Sequence, residues 1–145
     1  MVGRITPAWE VYLSYSFIPE AKIDAAGSSA AAQASVGQRV GLTPRHSFAT
    51  WVSYQATSQL RVAGGLHGAS ENFALQGTTG AAQRTARAAG YAAIDLMAEY
   101  KFTPDLFGQL NVTNVANRTY GDQLYPGFST LGQGRSVVAS VSYRY

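Results

Sequence analysis

The side chains of this chain that could do chemistry fall into three groups, each with a plainer reading beside it. His46 and His67 are far apart in sequence and lack the short spacing of a metal site, so no metal ion is expected. Asp95, Glu99 and Lys101 could pass for an acid–base set. They recur at even spacing, however, and a period of two makes them a polar stripe on one face of a strand. Arg84, Arg87, Arg118 and Arg135, with Phe73, Tyr120, Tyr125 and Phe128, lie in or beside stretches without strand periodicity. Guanidinium groups and rings are the residue types that hold anionic and aromatic groups. For any one of them the plainer reading, a solvated loop charge or an interface aromatic, prevails. No nucleophile elbow, phosphate loop or metalloprotease helix occurs. No catalytic residue, cofactor or enzymatic role is therefore expected.

The elements that must position these residues are strands. From Val137 onward every second residue is apolar: Val137, Ala139, Val141, Tyr143 and Tyr145. Ser136, Ser140, Ser142 and Arg144 fall between them, with Val138 the one exception. Successive strand side chains point to opposite faces, so this segment has one greasy face and one wet face. The same alternation runs through residues 8–18, 47–56, 60–68, 91–102 and 106–113. Segments 47–56 and 60–68 are close enough to form a hairpin, and Thr103-Pro104-Asp105 reads as a tight turn. Residues 20–44, 70–90 and 114–133 read as long loops. The run Ala25-Ala26-Gly27-Ser28-Ser29-Ala30-Ala31-Ala32 has no apolar periodicity to sustain a helix.

Composition agrees. The chain has 145 residues, enough for one domain, with net charge +3 and only 13% charged residues. That is well below the roughly 25% of a soluble domain. Nine tyrosines and fifteen glycines suit strands with one face in lipid and aromatic girdles at its borders. The basic residues are scattered, which argues against a nucleic-acid partner. There is no cysteine, so disulfide and thiol chemistry are excluded. No apolar run approaches the length of a transmembrane helix. Residues 1–7 lack the apolar core of a signal peptide, so the membrane reading implies a longer protein.

Six strands in three pairs, joined long, short, long, short, long, place all long loops at one end. This is the asymmetry of an outer-membrane β-barrel. The expected fold class is therefore all-β, an antiparallel transmembrane β-barrel.

Asn111-Val112-Thr113-Asn114 with Asn117 and Tyr120 resembles the penultimate-strand signature of TonB-dependent outer-membrane receptors. Tyr125-Pro126-Gly127-Phe128 with Gly132-Gln133-Gly134-Arg135-Ser136 resembles their last loop. Residues 41–48 with Trp51 and Tyr54 are similar to another recurrent segment of those barrels. The resemblance spans the chain and is nearest to the siderophore-receptor branch, particularly receptors for ferric catecholates. It implies a bacterial outer-membrane location and a 22-strand barrel around a plug. Residues 1–145 would then be the C-terminal barrel segment, its last six strands, incomplete alone and without the plug. It further implies import of a ferric siderophore, with energy from TonB delivered through the plug. Arg84, Arg87, Tyr120, Tyr125 and Phe128 become the loop candidates for ligand contact. Val137, Ala139, Val141, Tyr143 and Tyr145 become the signal read by the barrel-assembly machinery, in contact with outer-membrane lipid. The rival expectations are a small non-transport barrel or anchor, and a soluble all-β binding module with Ile94, Leu96 and Phe102 in its core.

Overall fold

The computed structural model describes residues 2–76, 83–125 and 128–145. Its strands are β1 (Val2–Thr6), β2 (Trp9–Phe17), β3 (His46–Gln55), β4 (Leu60–Ala69), β5 (Asn72–Gln76), β6 (Gln83–Ala88), β7 (Tyr91–Lys101), β8 (Leu106–Thr113), β9 (Gly121–Tyr125), β10 (Phe128–Leu131) and β11 (Ser136–Tyr143). One helical turn, α1 (Ala30–Gln33), follows β2. Seven strands form a single sheet in the order β1-β2-β3-β4-β7-β8-β11, every neighbour antiparallel. The hairpins β5–β6 and β9–β10 stand apart from it as two-stranded sheets.

The alternation of the sequence sets the register. Trp9, Tyr54, Val62, Ala98, Leu110 and Ala139 lie opposite one another across six strands. The adjacent row, Glu10, Ser53, Ala63, Met97, Asn111 and Val138, shares the other face. A slip of one residue would carry Asp95 and Glu99 onto the apolar face, where an unpaired charge is costly. Val138, the exception to the alternation, therefore lies on the polar face.

Among the described residues, the apolar face has no cover. Ile94, Leu96 and Phe102 are 45%, 46% and 54% exposed, so they do not form the core that a soluble module requires. The middle of this face is aliphatic, with Val11, Leu13, Val52, Leu66, Ile94 and Leu96. Aromatic rings gather at both ends. Trp9 stacks on Tyr54 with centroids 4.5 Å apart, and Tyr100 meets Phe102 edge-on, at the end with the short turns. At the opposite end Phe17 stacks on His46, which also bonds the Tyr15 hydroxyl at 2.8 Å. An aliphatic band between two aromatic girdles is the surface a barrel presents to lipid.

One device closes all three short turns. Thr6, Thr57 and Thr103 each accept at Oγ1 from the backbone N–H groups two and three residues on. A threonine hydroxyl can take such local donors without a change of backbone hand.

The structure departs from the sequence reading in four places. An additional strand, β1, pairs with β2 through a tight turn. Two of the expected long loops contain the hairpins β5–β6 and β9–β10. The alanine run makes one helical turn, capped by the Ser29 hydroxyl, which accepts from Ala32 N–H at 3.2 Å. Strand β11 stops at Tyr143, leaving Tyr145 beyond the pairing and fully exposed.

Candidate ligand-facing site

The long connections meet at one end of the sheet. Their apolar residues supply most of the buried hydrophobic positions among the described residues: Phe73 and Ala74 of β5 and Leu124 of β9, beside Ala63 and Ala93 of the sheet. Leu42, from the β2–β3 connection, donates its backbone N–H to the Phe73 carbonyl at 2.9 Å. Three connections thus hold one another at this end of the sheet.

Tyr120 lies at the centre of the arrangement. Its ring stacks on Tyr91, the first residue of β7, with centroids 4.0 Å apart and planes 10° from parallel. Gly132 also comes close: a Cβ there would stand 2.1 Å from the Tyr120 ring, so a larger residue would force the ring or the backbone to shift. Gly132 N–H also donates to the Tyr120 carbonyl at 2.9 Å. Burial raises the Tyr120 hydroxyl above the usual tyrosine range, and the carboxylates of Asp122 and Asp95 add to the effect.

Asn114 fixes the segment that carries Tyr120. It adopts φ 49° and its side chain is 1% exposed. Its Oδ1 accepts from Arg118 N–H at 2.9 Å. Its Nδ2 donates to the carbonyls of Arg118 and Gln133 at 2.8 and 3.0 Å. Its backbone N–H donates to Asp95 Oδ1 at 2.8 Å. The other Asp95 oxygen faces His67 Nδ1 at 3.2 Å, and the His67 ring sits edge-on to Tyr91. Asn117 repeats the pattern on a smaller scale, with φ 50° and Oδ1 accepting from Arg135 N–H. Asparagine tolerates this left-handed conformation better than most residues because its amide bonds locally.

A cleft of about 220 Å³ opens beside the stack, lined by Arg87, Tyr91, Arg118, Tyr120, Gly121 and Leu131 among others. The Arg87 guanidinium pairs with Glu71, and Arg118 Nη2 donates to the Gly90 carbonyl at 3.4 Å. The cleft thus presents two cations and two rings, which suits an anionic or aromatic guest. A larger cleft of about 400 Å³ lies along β1, among Arg4, Glu10, Trp51 and Arg61.

The candidate residues divide. Arg87 and Tyr120 come together in the cleft, with Arg118 beside them. Tyr125 and Phe128 instead form a separate exposed stack, centroids 4.7 Å apart, and the Tyr125 hydroxyl donates to Gln123 Oε1. Arg84 sits in β6 opposite Leu75, its side chain outside the described residues, as are Pro126 and Gly127. Arg135 is drawn into the loop base, with Nη1 at 3.5 Å from the Val115 carbonyl. Phe73 is buried in the loop core rather than offered to a ligand. Val137, Val141 and Tyr143 are exposed on the apolar face of β11. His46 and His67 fall on opposite faces of the sheet. Sequence reasoning missed Tyr91, His67 and Asn114 as parts of the site. The available signal was Tyr91, an aromatic on the wet face at a strand end.

A sheet with a lipid-type face and converging loops at one end defines the wall of an outer-membrane barrel. The chain belongs to the TonB dependent receptor-like, beta-barrel family, whose model matches residues 3–117. Barrels of this family are bacterial outer-membrane proteins. The chain is 30% identical over its whole length to the probable TonB-dependent receptor BfrD of Bordetella pertussis, covering 20% of that protein. It is 31% identical to the catecholate siderophore receptor Fiu of Escherichia coli K12 over 83% of the chain and 15% of that protein. The crystal structure of the siderophore receptor PiuA from Acinetobacter baumannii superposes with a TM-score of 0.82 at 22% identity, over 99% of this chain and 20% of that one. The chain therefore spans about a fifth of the length of these relatives.

Proposed function

We propose that this chain is the C-terminal barrel portion of an active transporter that imports ferric siderophores with energy delivered by TonB. Residues 1–145 supply barrel wall, outward loops and an assembly signal, and the plug through which TonB acts belongs to the rest of the receptor. The observation that carries this reading is the convergence of Arg87, Arg118, Tyr91 and Tyr120 on one cleft at the loop end of the sheet. An iron chelate with anionic aromatic arms meets cations and rings there. We further assign to Val137, Ala139, Val141, Tyr143 and Tyr145 the role of the strand recognised by the barrel-assembly machinery, read through main-chain pairing at the free edge of β11. The same residues contact outer-membrane lipid. The chain carries out no catalytic step in this scheme.

The test is growth of a strain lacking the full-length gene on a ferric catecholate as sole iron source. Wild-type receptor restores growth, and a receptor with Arg87→Ala, Arg118→Ala and Tyr120→Ala together does not, although it reaches the outer membrane at equal amount. Full growth of that variant would remove the cleft from the import path.

A further inference from the structure

Asn114 does more than end a strand. Its side chain is almost wholly buried, yet all of its polar bonds go to the segment bearing Arg118 and Tyr120 or to the segment that backs it. Its main chain is bonded to Asp95, and Asp95 faces His67 two strands away in the sheet order from β8. The contacts close on themselves. His67 leads to Asp95, Asp95 to Asn114, Asn114 to Arg118 and the nearby Tyr120, Tyr120 to Tyr91, and Tyr91 back to His67. Every link joins the barrel wall to the loop or one wall strand to the next. A buried amide that satisfies three bonds at once has one orientation only, because rotating it would set donor against donor.

We propose that Asn114 is the positioning residue of the ligand-facing cleft, holding Arg118 and Tyr120 over the wall through the Asp95–His67 anchor. This rests on the reading that the cleft takes the ligand. Asn114 touches no guest itself. It acts by removing the freedom of the loop before the guest arrives, so its loss weakens capture by making the cleft form only part of the time. Asp95 contributes an acceptor rather than a charge in this role, since the bond that matters runs from a backbone N–H to one carboxylate oxygen.

The experiment uses the full-length receptor in outer membranes. Labels are placed at Ala116→Cys and Ser16→Cys, with any cysteine in the rest of the receptor replaced by serine; this chain itself holds none. Distances between spin labels report the loop, and binding of iron(III) 2,3-dihydroxybenzoate reports the cleft. Asn114→Gly keeps the left-handed backbone without strain and deletes the side-chain bonds; because glycine also adds backbone freedom, Asp95→Ala, which leaves Asn114 in place, is the companion variant. It is expected to broaden the distance distribution and weaken binding about tenfold or more. Asp95→Asn keeps an acceptor for Asn114 N–H but gives up the carboxylate oxygen facing His67, so it should broaden the distribution less than Asp95→Ala, which should broaden it as Asn114→Gly does. Should Asn114→Gly fail to assemble, the Asp95 pair reads the same linkage from the wall side. An unchanged distribution in Asn114→Gly overturns the proposal, as does a broadened one with unchanged binding. Arg118→Ala and Tyr120→Ala separate the two readings. If they abolish binding while Asn114→Gly does not, positioning alone fails; if they leave binding intact, the cleft itself is not the ligand site.

Discussion

The Tyr120 ring stacks on the Tyr91 ring and is also closely approached by the backbone of Gly132. The first contact ties the last long connection to the wall strand β7, and the second ties two ends of that connection to each other. Gly132→Ala should therefore dislodge the ring. The new methyl overlaps carbon atoms of the ring, and overpacking of this kind costs about 1–3 kcal/mol. The expected readout is faster proteolytic cutting within residues 121–131, and Tyr120→Ala, which removes the same tie to β7, should be cut faster as well. Equal resistance of Gly132→Ala and wild type would show that the ring is not held there.

The pH dependence of this contact has a definite sign. Burial raises the Tyr120 hydroxyl above the ordinary tyrosine value of about 10. A phenol raised on folding binds its proton more tightly in the folded state, so its contribution is complete below the ordinary value and is lost as pH climbs through the raised one. The loop should loosen only in strong alkali. Subtracting the tyrosinate absorbance titration of Tyr120→Phe from that of wild type should leave a component centred above about 10. A component at or below that value would contradict the buried placement.

The two faces of β7 should respond oppositely to the same charge. Leu96, at the middle of the strand on the apolar face, tolerates Arg poorly, with a cost of about 2–4 kcal/mol near the bilayer midplane. Met97, its neighbour on the polar face, should accept Arg with far less effect. The measure is the fraction of receptor reaching the heat-modifiable folded form in outer membranes. Equal losses would mean that the apolar face is not the lipid face.

Thr57→Val keeps the shape of the side chain and removes the acceptor used by Gln59 and Leu60 N–H. The exposed donors turn to water, so the loss should be modest, about 0.5–1 kcal/mol. Amide exchange at Leu60 should quicken while exchange at the centre of β4 does not. An unchanged Leu60 rate would assign the turn to the backbone alone.

What the sequence determined by itself is the faces of the sheet. Strand alternation is local, because each side chain points opposite to its neighbour whatever the strand pairs with. Segments 47–56, 60–68, 91–102 and 106–113 are accordingly found as β3, β4, β7 and β8 within a residue or so at each end. Which residues of each strand share the apolar face could be written down before any pairing was known; the row from Trp9 to Ala139 needed the register. The Thr57 and Thr103 turns were equally local. Strand β1 escaped because five residues that include Gly3 and Arg4 alternate too briefly to register. The hairpins β5–β6 and β9–β10 escaped because strands of four to six residues are too short to carry a periodic signal, and they pack against each other rather than against the sheet. The site was legible as residue types and not as geometry. Asn114 and Tyr120 were visible as parts of a signature, but the reason for them was not. Asn114 bonds Asp95 and Gln133, each 19 residues away, and the Tyr120 stack needs Tyr91 from another strand. Contacts between segments so distant in sequence exist only once the register of β7 against β8 has brought their ends together, and that is decided by tertiary structure.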